Sequence, residues 1–186
     1  KATLESTVDV AVNPSLNPAS TVLTTANNGQ FTDFYINKSD FILADFTIQC
    51  NVAETGGANS VSPQSTFFFV NYIQILGDTN KVIDTLYPHT MWADCGMLST
   101  ETLQLLGPKI NMSTNFAPFL TIPASGTAVL LIKLIGSVIP YMKLWLGTLS
   151  SYLTVRVYWS GTSLASGTGT LALTSVSAYA TMINLP

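Results

Sequence analysis

A chain of 186 residues has room for one sizeable domain and hardly for two. Only 9% of its residues are charged, against about 25% in an average soluble protein, and 24 Thr and 18 Ser take up the difference. Seven Lys plus Arg, scattered through a chain of net charge −3, form no basic stripe; this argues against nucleic-acid binding, whereas hydroxyls in place of charge suit a surface that meets other protein surfaces.

The opening KATLESTVDV shows no apolar stretch behind Lys1 and hence no visible signal peptide. Residues 1–20, with Pro14 and Pro18 each following Asn, read as an extended arm lying on the domain or on a neighbour. Residues 21–186 read as one domain. TVLTT (21–25) leads into Asn28-Gly29, a strong hairpin signal, and FTDFYIN (31–37) and DFILADFTIQCNV (40–52) are strands by their aromatic and β-branched content. ETGGANSVSPQ (54–64) is a loop, and STFFFVNYIQILG (65–77) is a strand that GDTN (77–80) turns back into KVIDTLY (81–87). PHTMWADCGMLSTETLQLLG (88–107), stopped by Gly107-Pro108, predicts one or two short helices. Strands resume at APFLTIPA (117–124), TAVLLIKLIG (127–136), YLTVRVYWSG (152–161) and TLALTSVSAYATMI (170–183), with a Gly/Ser/Thr loop at 163–170. About eight to ten antiparallel strands at such spacing predict an all-β fold, a single jelly-roll β-sandwich or barrel.

The stretch GTAVLLIKLIGSVIPYMKLWLG (126–147) is long enough to cross a bilayer as a helix, at about 1.5 Å per residue. Lys133 would then lie near the bilayer middle at about 2.5–3.5 kcal/mol, and Pro140 would break the helix. Read as strand and turn, Ala128, Leu130, Ile132 and Leu134 share one face, and Val129, Leu131, Lys133 and Ile135 share the other. One face belongs in the domain's own core. The second, Val129, Leu131, Lys133 and Ile135, is the candidate interface, to be covered by a helix or another subunit.

Residues capable of catalysis do not assemble into a motif. The single histidine, His89, has no cysteine or acid at metal-ligand spacing, and neither GxSxG nor a glycine-rich phosphate loop occurs. No catalytic, cofactor-binding or metal residue is therefore assigned, and no cofactor is expected. Cys50 and Cys95 are two buried small hydrophobes or one disulfide bridge. Asn37-Lys38-Ser39 and Asn111-Met112-Ser113 match the glycosylation triplet. Among the tryptophans, Trp159 is expected to be buried, because Leu153, Val155, Val157 and Trp159 alternate with polar residues. Trp92 and Trp145 are candidate sugar-stacking residues for an alternative reading as a β-sandwich carbohydrate-binding or adhesin module.

The Pro/Asn-rich arm, the strand count, the helical excursion LYPHTMWADCGMLSTETLQLLG between hairpins and the low charge together resemble a viral jelly-roll capsid subunit. More narrowly they resemble the small major capsid proteins of tailless icosahedral phages with an internal membrane, of the Thermus-infecting type, in which single jelly rolls stand upright on the shell. The resemblance implies a structural, non-enzymatic virion protein. It would associate with itself and with a second capsid protein, near an internal viral membrane.

Overall fold

The structure is a computed structural model that describes residues 6–12, 21–22, 31–56, 59–61, 70–97, 120–160, 166–167 and 170–184. The strands are β1 (Ser6–Val12), β2 (Thr21–Val22), β3 (Phe31–Asn37), β4 (Phe41–Thr55), β5 (Asn59–Val61), β6 (Val70–Leu76), β7 (Val82–Leu86), β8 (Leu120–Ile122), β9 (Thr127–Lys133), β10 (Leu144–Trp145), β11 (Tyr152–Trp159), β12 (Ser166–Gly167) and β13 (Thr170–Asn184). Two short helices, α1 (Pro88–Gly96) and α2 (Val138–Met142), interrupt them.

The eight longer strands are β1, β3, β4, β6, β7, β9, β11 and β13. Taken in that order, the first pairs with the eighth, the second with the seventh, the third with the sixth and the fourth with the fifth. The eighth also pairs with the third, and the seventh with the fourth. This is the pairing of one long hairpin rolled up on itself. It yields two antiparallel sheets, β1-β13-β4-β9 and β3-β11-β6-β7, and the fold is a jelly roll. β2 continues the line of β1 along β13, β10 continues that of β9 along β4, and β12-β5-β8 make a small third sheet.

Period-two sequence decides which side chains fill the space between the sheets. Leu153, Val155, Val157 and Trp159 of β11 point inward, as expected, and the Trp159 indole N–H donates to Thr32 Oγ1 at 2.9 Å. Phe34 of β3 meets Phe46 of β4 edge-to-face at 5.9 Å, which joins the two layers. From β9, Leu130 and Ile132 enter the same core.

Residues 126–147 are therefore strand, turn, short helix and strand, and no helix among the described residues is long and apolar enough to cross a membrane. Pro140 lies inside α2 rather than ending a helix before it. It occupies the third helical position, where a backbone N–H would have no intrahelical partner, so its missing donor does no harm. Ser137 caps this helix, accepting from Ile139 N–H at 3.3 Å, and Asp84 of β7 accepts from Val138 N–H at 3.0 Å.

Three other expectations are corrected. Residues 6–12 of the expected arm are β1, paired throughout with β13, because STVDVAV carries a strand alternation of its own. β2 and β3 do not form a hairpin. They belong to different sheets, since β2 pairs with β13 and β3 with β11; Asn28-Gly29 itself lies outside the described residues. The loops expected at 54–64 and 163–170 contain β5 and β12. Of the helical stretch 88–107, α1 is described; it starts with Pro88 at its first position, and Thr90 Oγ1 accepts from Tyr87 N–H at 3.3 Å. Residues 98–107 lie outside the described part.

Candidate functional site

With the core filled by inward side chains, what the fold presents to its surroundings is the outer face of each sheet. The first outer face, on β13-β4-β9, is polar, and its only formal charges at outward strand positions are one ion pair. It displays Thr47, Gln49 and Asn51 from β4, and Ser175, Ser177, Tyr179 and Thr181 from β13. Asn51 donates to Ser175 Oγ at 2.6 Å, and Lys133 forms an ion pair with Asp45, whose other oxygen accepts from Phe46 N–H at 2.8 Å. Around this pair lies an open depression of about 260 Å³ lined by Thr47, Gln49, Leu131, Tyr179 and Thr181. It is smaller and more open than a typical small-ligand pocket.

The sequence-derived interface residues fall on this face with one exception. Val129 is 48% exposed, Leu131 and Lys133 are half-buried, and no helix of the described residues covers them. Ile135 is the correction, because it is buried in the core. Alternation fails at this position because β9 ends at Lys133: Ile135 N–H donates to the Lys133 carbonyl at 2.8 Å, a tight turn that sends both Leu134 and Ile135 inward. Cys50 on β4 is a free, fully buried thiol, and burial pushes its pKa up to about 12. It behaves as a small hydrophobe. The side chain of Cys95 lies outside the described residues.

The second outer face, on β3-β11-β6-β7, is aromatic. Strand register places Phe31, Tyr158 and Tyr72 in one row across β3, β11 and β6, and Tyr87, the residue that follows β7, extends it. Successive ring centroids are 5.6, 4.2 and 6.2 Å apart, and His89 of α1 stacks on Tyr87 at 5.6 Å to end the row. Beneath it runs a polar row, Asp33, Arg156, Gln74 and Thr85. Arg156 donates to both oxygens of Asp33 at 2.6 and 2.8 Å, while its guanidinium lies 4.5 Å from the Phe31 ring centre. Desolvation, together with the neighbouring Tyr158, raises the Tyr72 pKa. The hydrogen bonds to Asp33 hold the Arg156 guanidinium protonated even more firmly than usual. A further pair, Tyr35 and Tyr152, lies at 4.9 Å. Sequence reading identified the alternation of β11 but not this row, because the row exists only once four strands are in register.

The remaining sequence candidates are dispersed. Trp92 packs against the core from α1. Trp145 is half-exposed with its indole over Gly147, where an added Cβ would come within 2.6 Å of the ring. Among the described residues no group of three or more His, Cys, Asp and Glu could hold a metal ion.

No family model and no curated protein matches the sequence. Solved structures do match the fold. The PBCV-1 virus capsid superposes with a TM-score of 0.66 at 11% identity, covering 100% of this chain and 44% of that one. A PBCV-1 protein fitted into a reconstruction of the virophage Sputnik gives 0.62 at 10%, with the same coverage. The Sulfolobus turreted icosahedral virus structure gives 0.55 at 12%, covering 95% of this chain and 44% of that one. The likeness is one of fold. This chain spans less than half the length of each of these neighbours.

Proposed function

We propose that the chain is a structural, non-enzymatic subunit of an icosahedral virion shell, located in the capsid. The observation that carries this reading is the jelly-roll strand order, which is similar over 95–100% of this chain to structures of virus capsids. The outer faces support it: across β13-β4-β9 and across β3-β11-β6-β7 the outward strand positions carry one opposite-charge pair each and no other formal charge, so copies apposed there meet little like-charge repulsion and little charge to desolvate. The hydroxyl- and amide-rich face around Val129, Leu131 and Lys133 is one proposed site of self-association. The finer assignment rests on the sequence resemblance alone: a small capsid protein of the Thermus-infecting membrane-containing phage type, with a second capsid protein and an internal membrane nearby.

Electron microscopy of the particles of origin, with mass spectrometry of their shell, tests the reading. The chain is expected as an abundant shell component. Particles that lack it, together with a purified chain that stays monomeric at every concentration, would sink the proposal. Within it, Val129→Glu and Leu131→Glu are expected to impair assembly; unchanged assembly would remove this face from the interface.

A further inference from the structure

We infer that the aromatic face of β3-β11-β6-β7 is a second, separate self-association surface, whose occupant is the same face of another copy of this chain. The inference rests on the capsid reading and deepens it. A two-fold contact through one face is self-complementary: it makes a dimer and stops. A shell that tiles in two dimensions needs a further contact, and in a two-layer sandwich the other broad surface is the opposite sheet.

Residue chemistry selects this face and this partner. Phe31, Tyr35, Tyr87 and Tyr152 are 38–45% exposed. At about 150–250 Å² per ring, they leave roughly 250–400 Å² of aromatic surface open, on the scale of the largest patch found on a typical monomer. A stable pairing buries about 800 Å² per partner, so these rings would make its centre, with Gln74, Thr85 and Asn37 around them. Tyr and Arg dominate the centres of protein interfaces because they bring large area with few rotors. Here they are already locked: Arg156 is held by Asp33 and Phe31, and Tyr72 by Tyr158, so little side-chain freedom remains to be lost on docking.

The same geometry disfavours other occupants. Tyr72 and Tyr158 stack on each other with an interplanar angle of 25°, as do Tyr87 and His89 at 23°, so ring faces that could lie on a sugar are partly used. Asp33 and Arg156 are the only formally charged residues among the outward positions of these strands, and they neutralise each other. A polyanion finds no unpaired strand cation there, whereas an identical neutral face meets no repulsion.

The test pairs two measurements. Sedimentation equilibrium of a Tyr35→Glu/Tyr87→Glu double variant is expected to show a dissociation constant raised about tenfold or more. Circular dichroism and melting temperature should stay at parental values, and Tyr35→Phe/Tyr87→Phe should restore association. A photo-crosslinking amino acid at position 87, in an otherwise unchanged chain, is expected to label residues of β3, β6, β7 or β11 of a second copy. A parent that assembles while the folded Glu variant assembles equally well overturns this inference and leaves the capsid reading standing. So do crosslinks confined to the Val129 face or to a different protein or glycan. A parent that never associates and is absent from the particles overturns both.

Discussion

On one outer face Lys133 and Asp45 form an ion pair among threonines, a glutamine and an asparagine; on the other Arg156 and Asp33 form one among aromatic rings. Both pairs bridge neighbouring strands. They differ in how far water reaches the carboxylate. The side chains of Lys133 and Asp45 are 15% and 20% exposed, while Asp33 is 3% exposed behind a guanidinium that is itself 23% exposed. The difference teaches that covering matters as much as pairing: where rings shield a carboxylate, its partner becomes obligatory, and where hydroxyls surround it, water can substitute.

The largest expected effect follows directly. Arg156→Ala takes two charge-assisted hydrogen bonds from the Asp33 carboxylate in a nearly dry site and should destabilise the fold by about 3 kcal/mol in urea denaturation. A loss below about 1 kcal/mol would mean that the aromatic face shields less than its geometry implies. Next, a double-mutant cycle on Tyr72 and Tyr158, each replaced by Leu, should return a coupling of about 1 kcal/mol. Additive losses would remove the row as a cooperative unit. On the hydroxyl-rich face, Lys133→Ala should cost about 1 kcal/mol or less and depend on salt. A cost equal to that of Arg156→Ala would erase the contrast between the two faces.

The smallest effect is at the rim of the aromatic face. Asp78 accepts from Ser150 N–H at 2.6 Å and Ser151 N–H at 3.1 Å, and these backbone bonds hold its carboxyl below the usual carboxylate range. A depressed pKa stabilises the fold above the unfolded value and is lost as pH falls through the folded one. Asp78→Asn should therefore lower the melting temperature slightly near pH 7, with the gap closing as pH drops through and below about 4. A gap independent of pH would assign the effect to packing instead.

Much of this architecture was legible in the residues, for physical reasons that also explain the gaps. The period-two pattern in 152–159 declares which side chains face inward, because a strand with one buried face has a single acceptable phase. The β6–β7 hairpin was legible from GDTN, a local signal. Ile135 was misplaced because alternation says nothing about where a strand stops, and the stop is one backbone hydrogen bond. The Asn28-Gly29 signal misled because local turn chemistry cannot report that β2 is claimed by β13, about 150 residues away. The aromatic row escaped notice for a related reason. Phe31, Tyr72, Tyr87 and Tyr158 become neighbours through register alone, and register is a property of pairs of strands.

β13 has one more consequence. Its fifteen residues pair with β4 along one edge and with β1 and β2 along the other, so the β1 side of that sheet is joined to β4 only through it. Ribosomal synthesis delivers it after every other strand described. Until then β4 and β9 stand beside an open backbone edge, and β1 has no main-chain partner among the described strands. Sheets closed by such distant pairings fold in milliseconds to seconds rather than microseconds, an interval in which bare edges invite pairing with other chains. The time between the emergence of β4 and that of β13 is therefore the interval in which that edge is open to other chains.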